Sequence, residues 1–295
     1  MPASCISKMV PLAQMLLQFM QRAKLVKVPF SLQSAPIPKP FLPMKRTFFV
    51  LALVLAACTT PQMLVDQQLT NQSTPMPVSG RQGLLINQKI RFGHYESEKV
   101  QRSWTRSYSM DAFLAKLQDA RDKYSFTLFD NDRGAYTIDA VNHIKGAELP
   151  VGRFLGSNTS DALRELASFT VQTKDLFAAT MYSNSRQEEW HLMLMNRDDI
   201  RRNGRYAGLL INNQQQQQIE VLPVRKLQGA KTWGTDIIGY EFRQEDKSLA
   251  AVELINKGRV WIDPTLDPNM QLVLASASAT LLLQQELELP SEQIH

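Results

Sequence analysis

Gly83-Leu84-Leu85-Ile86-Asn87 recurs, residue for residue, as Gly208-Leu209-Leu210-Ile211-Asn212. Internal repetition is worth settling first, because it fixes the building unit of a chain. Here the likeness continues in order. Ile90, Phe92, Val100 and Trp104, then Tyr124-Ser125-Phe126, follow the first copy. Ile219, Val221, Val224 and Trp233, then Tyr240-Glu241-Phe242, follow the second. Each copy ends in an alternating run, Tyr136-Thr137-Ile138-Asp139-Ala140-Val141 in one and Ala250-Ala251-Val252-Glu253-Leu254-Ile255 in the other, with Arg259-Val260-Trp261-Ile262 extending the latter. Alternation of apolar and polar side chains turns one face of a strand to a core and the other to solvent, so each copy is expected as a β-meander of about four strands. The first β-repeat spans 82–160 and the second, with a C-terminal helix, spans 206–289. Residues 161–205 connect them, with strand-like runs at 177–181 and 190–195 and a turn at Asn203-Gly204.

Helical spacing is sparse. Phe113, Leu114, Leu117 and Ala120 share one face of a helix expected over 110–123, an insertion without a counterpart in the second copy. A short helix is expected over 160–169, with Asp161 in its first turn. The third is expected over 269–289. Asp267-Pro268 starts it, and Leu272, Val273, Leu281, Leu282 and Leu283 pack it on the sheets. The fold class that follows is α+β, predominantly antiparallel β, with two similar β-meander units and a few helices including a C-terminal one.

Upstream of the repeats, residues 44–58 read MKRTFFVLALVLAAC. Lys45 and Arg46 supply a positive start, residues 47–57 an apolar core, and Ala56-Ala57 small residues at a cut. The core is shorter than the roughly 20 apolar residues that span a bilayer. Leu55-Ala56-Ala57-Cys58 resembles the lipobox of bacterial lipoproteins at all four positions. The resemblance covers residues 44–59 and implies cleavage between Ala57 and Cys58, a diacylglyceryl group on the Cys58 sulfur and a fatty acyl group such as palmitate on its new amine. Two or more chains hold a protein on a membrane stably where one does not. Thr59 is not the Asp that retains such proteins at the inner membrane of enteric bacteria, so the family rule points to the outer membrane, with the inner membrane or cell surface as lesser destinations. The bland alternative is an ordinary signal peptide, or a buried strand that happens to end in Cys. Residues 1–43 carry five basic and no acidic residues and a tail broken by Pro36, Pro38, Pro40 and Pro43. They are expected to be an upstream extension from a misassigned start, with translation beginning at Met44; a genuine long positive region is the alternative.

Processing changes the composition. The full chain of 295 residues has a net charge of +5. Seven of its 33 basic residues and none of its 28 acidic ones lie in residues 1–57, leaving 26 against 28. A nucleic-acid binder carries a clear basic excess, so nucleic acid is excluded as a partner. The two cysteines are Cys5 and Cys58. The processed chain keeps only the lipidated one, and its fold must stand on an apolar core without a disulfide. Residues 59–81 are polar and broken by Pro61, Pro75 and Pro77. With Cys58 they are expected as a flexible tether that reaches at most about 75–80 Å and lets the body search for a partner.

No catalytic or metal-binding motif stands out. Asp130-Asn131-Asp132-Arg133-Gly134 resembles the start of a calcium loop, but Gly134 and Val141 occupy positions that need oxygen ligands, and turn formation explains the residues. His94, His143, His191 and His295 lack zinc-site spacing. Ser276 and Ser278 read as small residues of helix packing. Glu188-Glu189 and Asp198-Asp199 read as solvated pairs balanced by Arg197, Arg201, Arg202 and Arg205. The run of glutamines at 214–218 reads as a loop or a solvated strand extension. Trp104, Trp190, Trp233 and Trp261 read as core. No catalytic residue and no cofactor is assigned. The expectation is a non-enzymatic binding or accessory module of the cell envelope, facing the periplasm, whose partners are the membrane through its anchor and an envelope protein or peptidoglycan. The alternatives are a lipid-anchored hydrolase, which needs two converging acids, and a carrier of apolar cargo, which needs a cavity between sheets.

Overall fold

The computed structural model describes residues 60–81, 87–103, 121–131, 134–142, 176–212, 214, 217–230 and 236–284. The body begins at Pro61. The expectations for Ala57, Cys58, Trp104, His143, Trp233, His295 and the helix at 160–169 lie outside the described residues.

Thirteen strands among the described residues form one antiparallel sheet. They are β1 (Met76–Pro77), β2 (Arg91–Phe92), β3 (Tyr95–Ser97), β4 (Gln101–Ser103), β5 (Arg121–Asp130), β6 (Ala135–Asn142), β7 (Leu176–Ser183), β8 (Glu188–Met195), β9 (Gly208–Asn212), β10 (Gln217–Val224), β11 (Gly239–Gln244), β12 (Lys247–Glu253) and β13 (Arg259–Ile262). Neighbours follow chain order from β5 to β13, and β1 joins the far edge beside β13. At the other edge β2 is bridged by Ser79, just beyond β1: the Ser79 amide donates to the Arg91 carbonyl at 2.9 Å and the Arg91 amide donates back at 3.0 Å. The sheet thus nearly closes on itself, and closure hides edges that would otherwise pair with other chains.

Inward and outward residues alternate as the sequence pattern requires. Tyr124, Phe126 and Leu128 of β5 and Tyr136, Ile138 and Ala140 of β6 are buried, while Thr127, Phe129 and Thr137 face out. Tyr240 and Phe242 of β11 and Ala250 and Val252 of β12 repeat that pattern. The pentapeptides that opened both copies differ where they can be compared. Asn87 takes a left-handed turn at φ 59°, whereas Asn212 ends strand β9 and is fully buried.

Three helices are described: α1 (Gln67–Gln72), α2 (Arg197–Asn203) and α3 (Pro268–Gln284). The Asp267 side chain caps α3 by accepting from the Asn269 and Met270 amides. Every residue from Leu272 to Leu283 is buried, so this helix is apolar on all sides. It packs on β5, β6 and β7 and also on β12 and β13, and therefore runs through the curl of the sheet. The run Ala275-Ser276-Ala277-Ser278-Ala279 keeps it narrow enough to fit. At its C-terminal end the Arg81 guanidinium donates to the carbonyls of Leu282 and Leu254, where a cation meets the negative end of the helix dipole. None of these helices is long and apolar enough to cross a membrane.

Three expectations are corrected. Residues 121–123, the last turn of the helix expected over 110–123, belong to β5, where cross-strand pairing with β6 overrides the local helical spacing; the earlier part lies outside the described residues. Helix α2 forms where only a solvated charge cluster was expected. Asn196 caps it, Asp198 and Asp199 sit in its first turn, and Arg201 and Arg202 in its last, each on the side the dipole favours. Residues 60–81 are not a free tether. The Asn256 amide holds the Pro61 carbonyl at 3.0 Å, the Gln62 carbonyl accepts from the Gln228 amide, and the Met63 amide donates to the Glu253 carboxylate at 3.0 Å. Met63 and Leu69 are buried with Val224, Ala251 and Trp261 on the outer face of β10, β12 and β13. Asp66 caps α1 above them. Backbone bonds and three well-placed apolar residues (Met63, Leu69 and Val78) hold a segment whose average composition is that of a linker.

Candidate functional site

The outer wall carries a groove of about 400 Å³ at the end of the barrel where α3 begins. It is lined by Thr127, Phe129, Asn131, Gly134, Ala135, Thr137, Tyr182, Asn184 and Ser185, from β5, β6, β7 and their turns. Strand register explains the hollow. Phe129 stands across from Ala135, and Gly134 follows the turn without a side chain, so a large ring borders small neighbours. Thr137 pairs with Thr127 on one side and Tyr182 on the other. The Tyr182 hydroxyl donates to the Gln187 carboxamide at 3.1 Å, and Gln187 donates to the Asn184 carbonyl at 2.8 Å, which braces the rim. The lining residues among those described are uncharged. Two aromatic faces among hydroxyls and carboxamides suit a neutral, polar, flat-faced ligand such as a sugar ring or an exposed peptide segment.

Directly inside the same two hairpins lies Glu188, 4% exposed. Its Oε1 accepts from the Trp190 indole at 2.8 Å and the Asn212 carboxamide at 3.0 Å. Its Oε2 accepts from the Tyr136 hydroxyl at 2.9 Å and the Asn269 carboxamide at 2.7 Å. Four donors from β6, β8, β9 and the start of α3 converge on one carboxylate. Burial first, and then the neighbouring Glu188 charge, raise the Tyr136 pKa well above the ordinary phenol value, so that hydroxyl stays a donor. With each oxygen taken by two donors, Glu188 ties the helix to the wall rather than facing a substrate.

This corrects the reading of Glu188-Glu189 as a solvated pair. Strand alternation sends the two carboxylates to opposite faces; Glu189 reaches the outward-facing His191 at 3.2 Å. The overlooked signal is Glu188-x-Trp190-x-Leu192-x-Leu194, whose other inward members are apolar. Asp130 is also buried, and His94 in the β2–β3 turn lies 3.3 Å from it, with its ring 4.1 Å from that of Tyr95. Asn131 and Gly134 form the expected turn, and 132–133 lie outside the described residues. Trp190 is core, while Trp261 is buried beneath the segment carrying α1. Ser276 and Ser278 are buried within α3, and Gln217 and Gln218 open β10 half-buried. Among the described residues no three His, Cys, Asp or Glu side chains converge as a metal site would need. Comparison of the chain with protein-family models, with curated proteins and with solved structures finds no match.

Proposed function

We propose that this protein is a lipid-anchored lipoprotein of the outer membrane, attached through Cys58 after cleavage behind Ala57. Its periplasm-facing body serves as a non-enzymatic binding or accessory module. The carrying observation is the stretch 44–58, with its basic start, short apolar core and lipobox, placed just before a body that begins at Pro61. The groove around Phe129 and Tyr182 is the surface that receives the envelope partner, a protein or a peptidoglycan strand. Two features of the body support binding over the alternatives. The curl of the sheet is filled by α3, leaving its interior to packing rather than to cargo. The Glu188 carboxylate beneath the groove is saturated by donors from the wall and from the start of α3.

The test has two parts. The intact mass of protein purified from native membranes should correspond to a chain starting at Cys58 plus diacylglyceryl and acyl groups, and Cys58→Ser should release the protein from the membrane. A full-length unmodified chain would overturn the anchor. A photo-crosslinking residue at Tyr182 should then capture a stoichiometric envelope partner in intact cells, whereas the same residue at Lys257 should not. Equal yields from both positions would overturn the assignment of the groove.

A further inference from the structure

The first body contact after the anchor comes early. Pro61 is already held through its carbonyl by Asn256, followed by Gln62 on Gln228, Met63 on Glu253 and the Leu64 amide on the Lys226 carbonyl. Only Thr59 and Thr60 separate Pro61 from Cys58. Three residue steps reach at most about 11 Å, against the 75–80 Å that a free segment would allow. All of these contacts lie at one end of the barrel. Asn256 is in the β12–β13 turn, Lys226 and Gln228 follow β10, and Arg81 beside them caps the last turn of α3. The groove is at the other end, beyond the start of α3, a helix of 17 residues and so about 25 Å long.

The surface at the anchor end differs from the rest. Leu64 is the large hydrophobic residue left exposed among those described, at 39%. Among the described residues, Arg201, Arg202, Arg205, Arg225, Lys226 and Lys257 gather there against Asp198, Asp199 and Asp236. Two of these groups also serve locally: the Arg225 guanidinium donates to the Ile200 carbonyl, and Arg201 pairs with Asp236 at 2.7 Å. At the groove end, among the described residues, the exposed turn acids Glu245, Asp246 and Asp267 outnumber the exposed cation Arg186, and the half-buried Lys247 is already paired with Asp263 at 2.7 Å. A cationic rim around an exposed apolar residue is the surface that an anionic bilayer attracts.

We infer that the barrel stands end-on against the bilayer that holds its own lipid anchor, with Leu64 and its cationic rim at the headgroups and the groove presented away from the membrane. The inference rests on lipidation of Cys58, as proposed above. It makes residues 61–79 a rigid mount instead of a tether, and it fixes the distance at which a partner is met.

The test uses the mature lipidated protein purified from native membranes and reconstituted in vesicles of phosphatidylethanolamine and phosphatidylglycerol. No cysteine other than Cys58 follows Ala57, so Leu64→Cys and Arg186→Cys each give a single labelling site, at the mount and in the β7–β8 turn beside the groove. With an environment-sensitive fluorophore on either site and a headgroup nitroxide in the lipid, the label at 64 should be strongly quenched and that at 186 should not. A flexible Gly-Ser insertion between Thr60 and Pro61 should abolish the quenching at 64 while leaving the thermal midpoint unchanged. Equal quenching at both sites, or none at 64, in a sample whose mass carries the lipid would overturn the end-on mount and leave the anchor standing. A mass without lipid would overturn both.

Discussion

Replacing Glu188 with Ala removes the acceptor that four buried donors share. The Trp190 indole, the Asn212 and Asn269 carboxamides and the Tyr136 hydroxyl lie 2.7–3.0 Å from its oxygens. A buried donor left without a partner costs about 1–3 kcal/mol, so a plain sum runs from roughly 4 to 12. The upper part of that range is too high, because deletions within one network are not additive and the space vacated by a carboxylate admits water. About 4–6 kcal/mol remains. For a body of this size each kcal/mol moves the thermal midpoint by about 2–4 °C, so Glu188→Ala should melt roughly 10–20 °C below the parent.

Glu188→Gln separates charge from geometry. The Trp190 indole can only donate, so the carbonyl of the substituted carboxamide must take the Oε1 position facing Trp190 and Asn212. Its NH2 group then faces Tyr136 and Asn269, and both can adapt: a phenol oxygen can accept, and a carboxamide can turn over. The expected cost is about 1–2 kcal/mol, with the fold intact. Urea and thermal unfolding of the two variants decide the matter. If Glu188→Ala stays within about 1 kcal/mol of the parent, the four bonds are not the tie between α3 and the wall, and the reasoning fails. If Glu188→Gln is as damaging as Glu188→Ala, the negative charge carries the effect and not the count of acceptors.

His191 is buried on β8, and burial lowers its pKa from 6.5 to about 4, outweighing the partly exposed Glu189 carboxylate 3.2 Å away. Because the folded value lies below the unfolded one, that stability is full above pH 6.5 and is lost as pH falls toward 4, by about 3 kcal/mol in all; His191→Gln should flatten the urea midpoint over that window. Gly208→Ala places a Cβ 1.9 Å from the Met193 carbonyl oxygen and 2.8 Å from Leu194, where backbone cannot yield. Its stability should drop by at least about 2 kcal/mol in urea unfolding, and a neutral result would mean β8 and β9 are not in this register. Arg81→Met keeps the aliphatic stem but abandons the Leu282 and Leu254 carbonyls. It should cost about 2–4 kcal/mol and raise amide exchange in the last turn of α3 before anywhere else.

The strand content was legible because one physical rule, alternation at a core boundary, acts on each strand separately. Residues 239–244, 250–253 and 259–262 carry it, while 177–181, 190–195 and 208–212 are short apolar runs buried along nearly their whole length, which the same core demands of a strand covered on both faces. What a local pattern cannot report is which edges meet. Nothing in residues 76–79 marks them as the staves that join β13 to β2, since their contribution is backbone amides and carbonyls that every residue possesses. The groove was equally hidden. Phe129, Thr137 and Tyr182 look like ordinary outward residues of three strands, and only the cross-strand register puts a large ring beside Ala135 and Gly134. The C-terminal helix shows the opposite case. Its apolar character on every side could be read from Leu272 to Leu283, and a helix with no polar face must be enclosed. The enclosure around it was not legible, because it is built from strands on two sides of the sheet.

The mount at residues 61–79 follows from where hydrogen-bond partners lie. Composition judges a segment by the apolar area it can bury on its own, and by that measure this one should stay free. Its stability comes instead from acceptors and donors already fixed in the body: Glu253 for Met63, Asn256 for Pro61, the Lys226 carbonyl for Leu64, and the edges of β13 and β2 for residues 76–79. Those partners sit in the second repeat and at the start of the first, so the segment can dock only once the sheet has curled. Docking in turn covers the two edges that the curl leaves open. Closure of the sheet and immobilisation of the chain behind Cys58 are therefore one event. A substitution at the base of the mount, such as Gly239→Ala, whose Cβ would lie 2.1 Å from the Met63 sulfur and 2.3 Å from the Val252 carbonyl oxygen, should loosen the mount and expose the edges together. Amide exchange reads both at once: faster exchange at Met63 and Leu64 without faster exchange at Ser79 and Arg91 would separate the two events and refute their coupling.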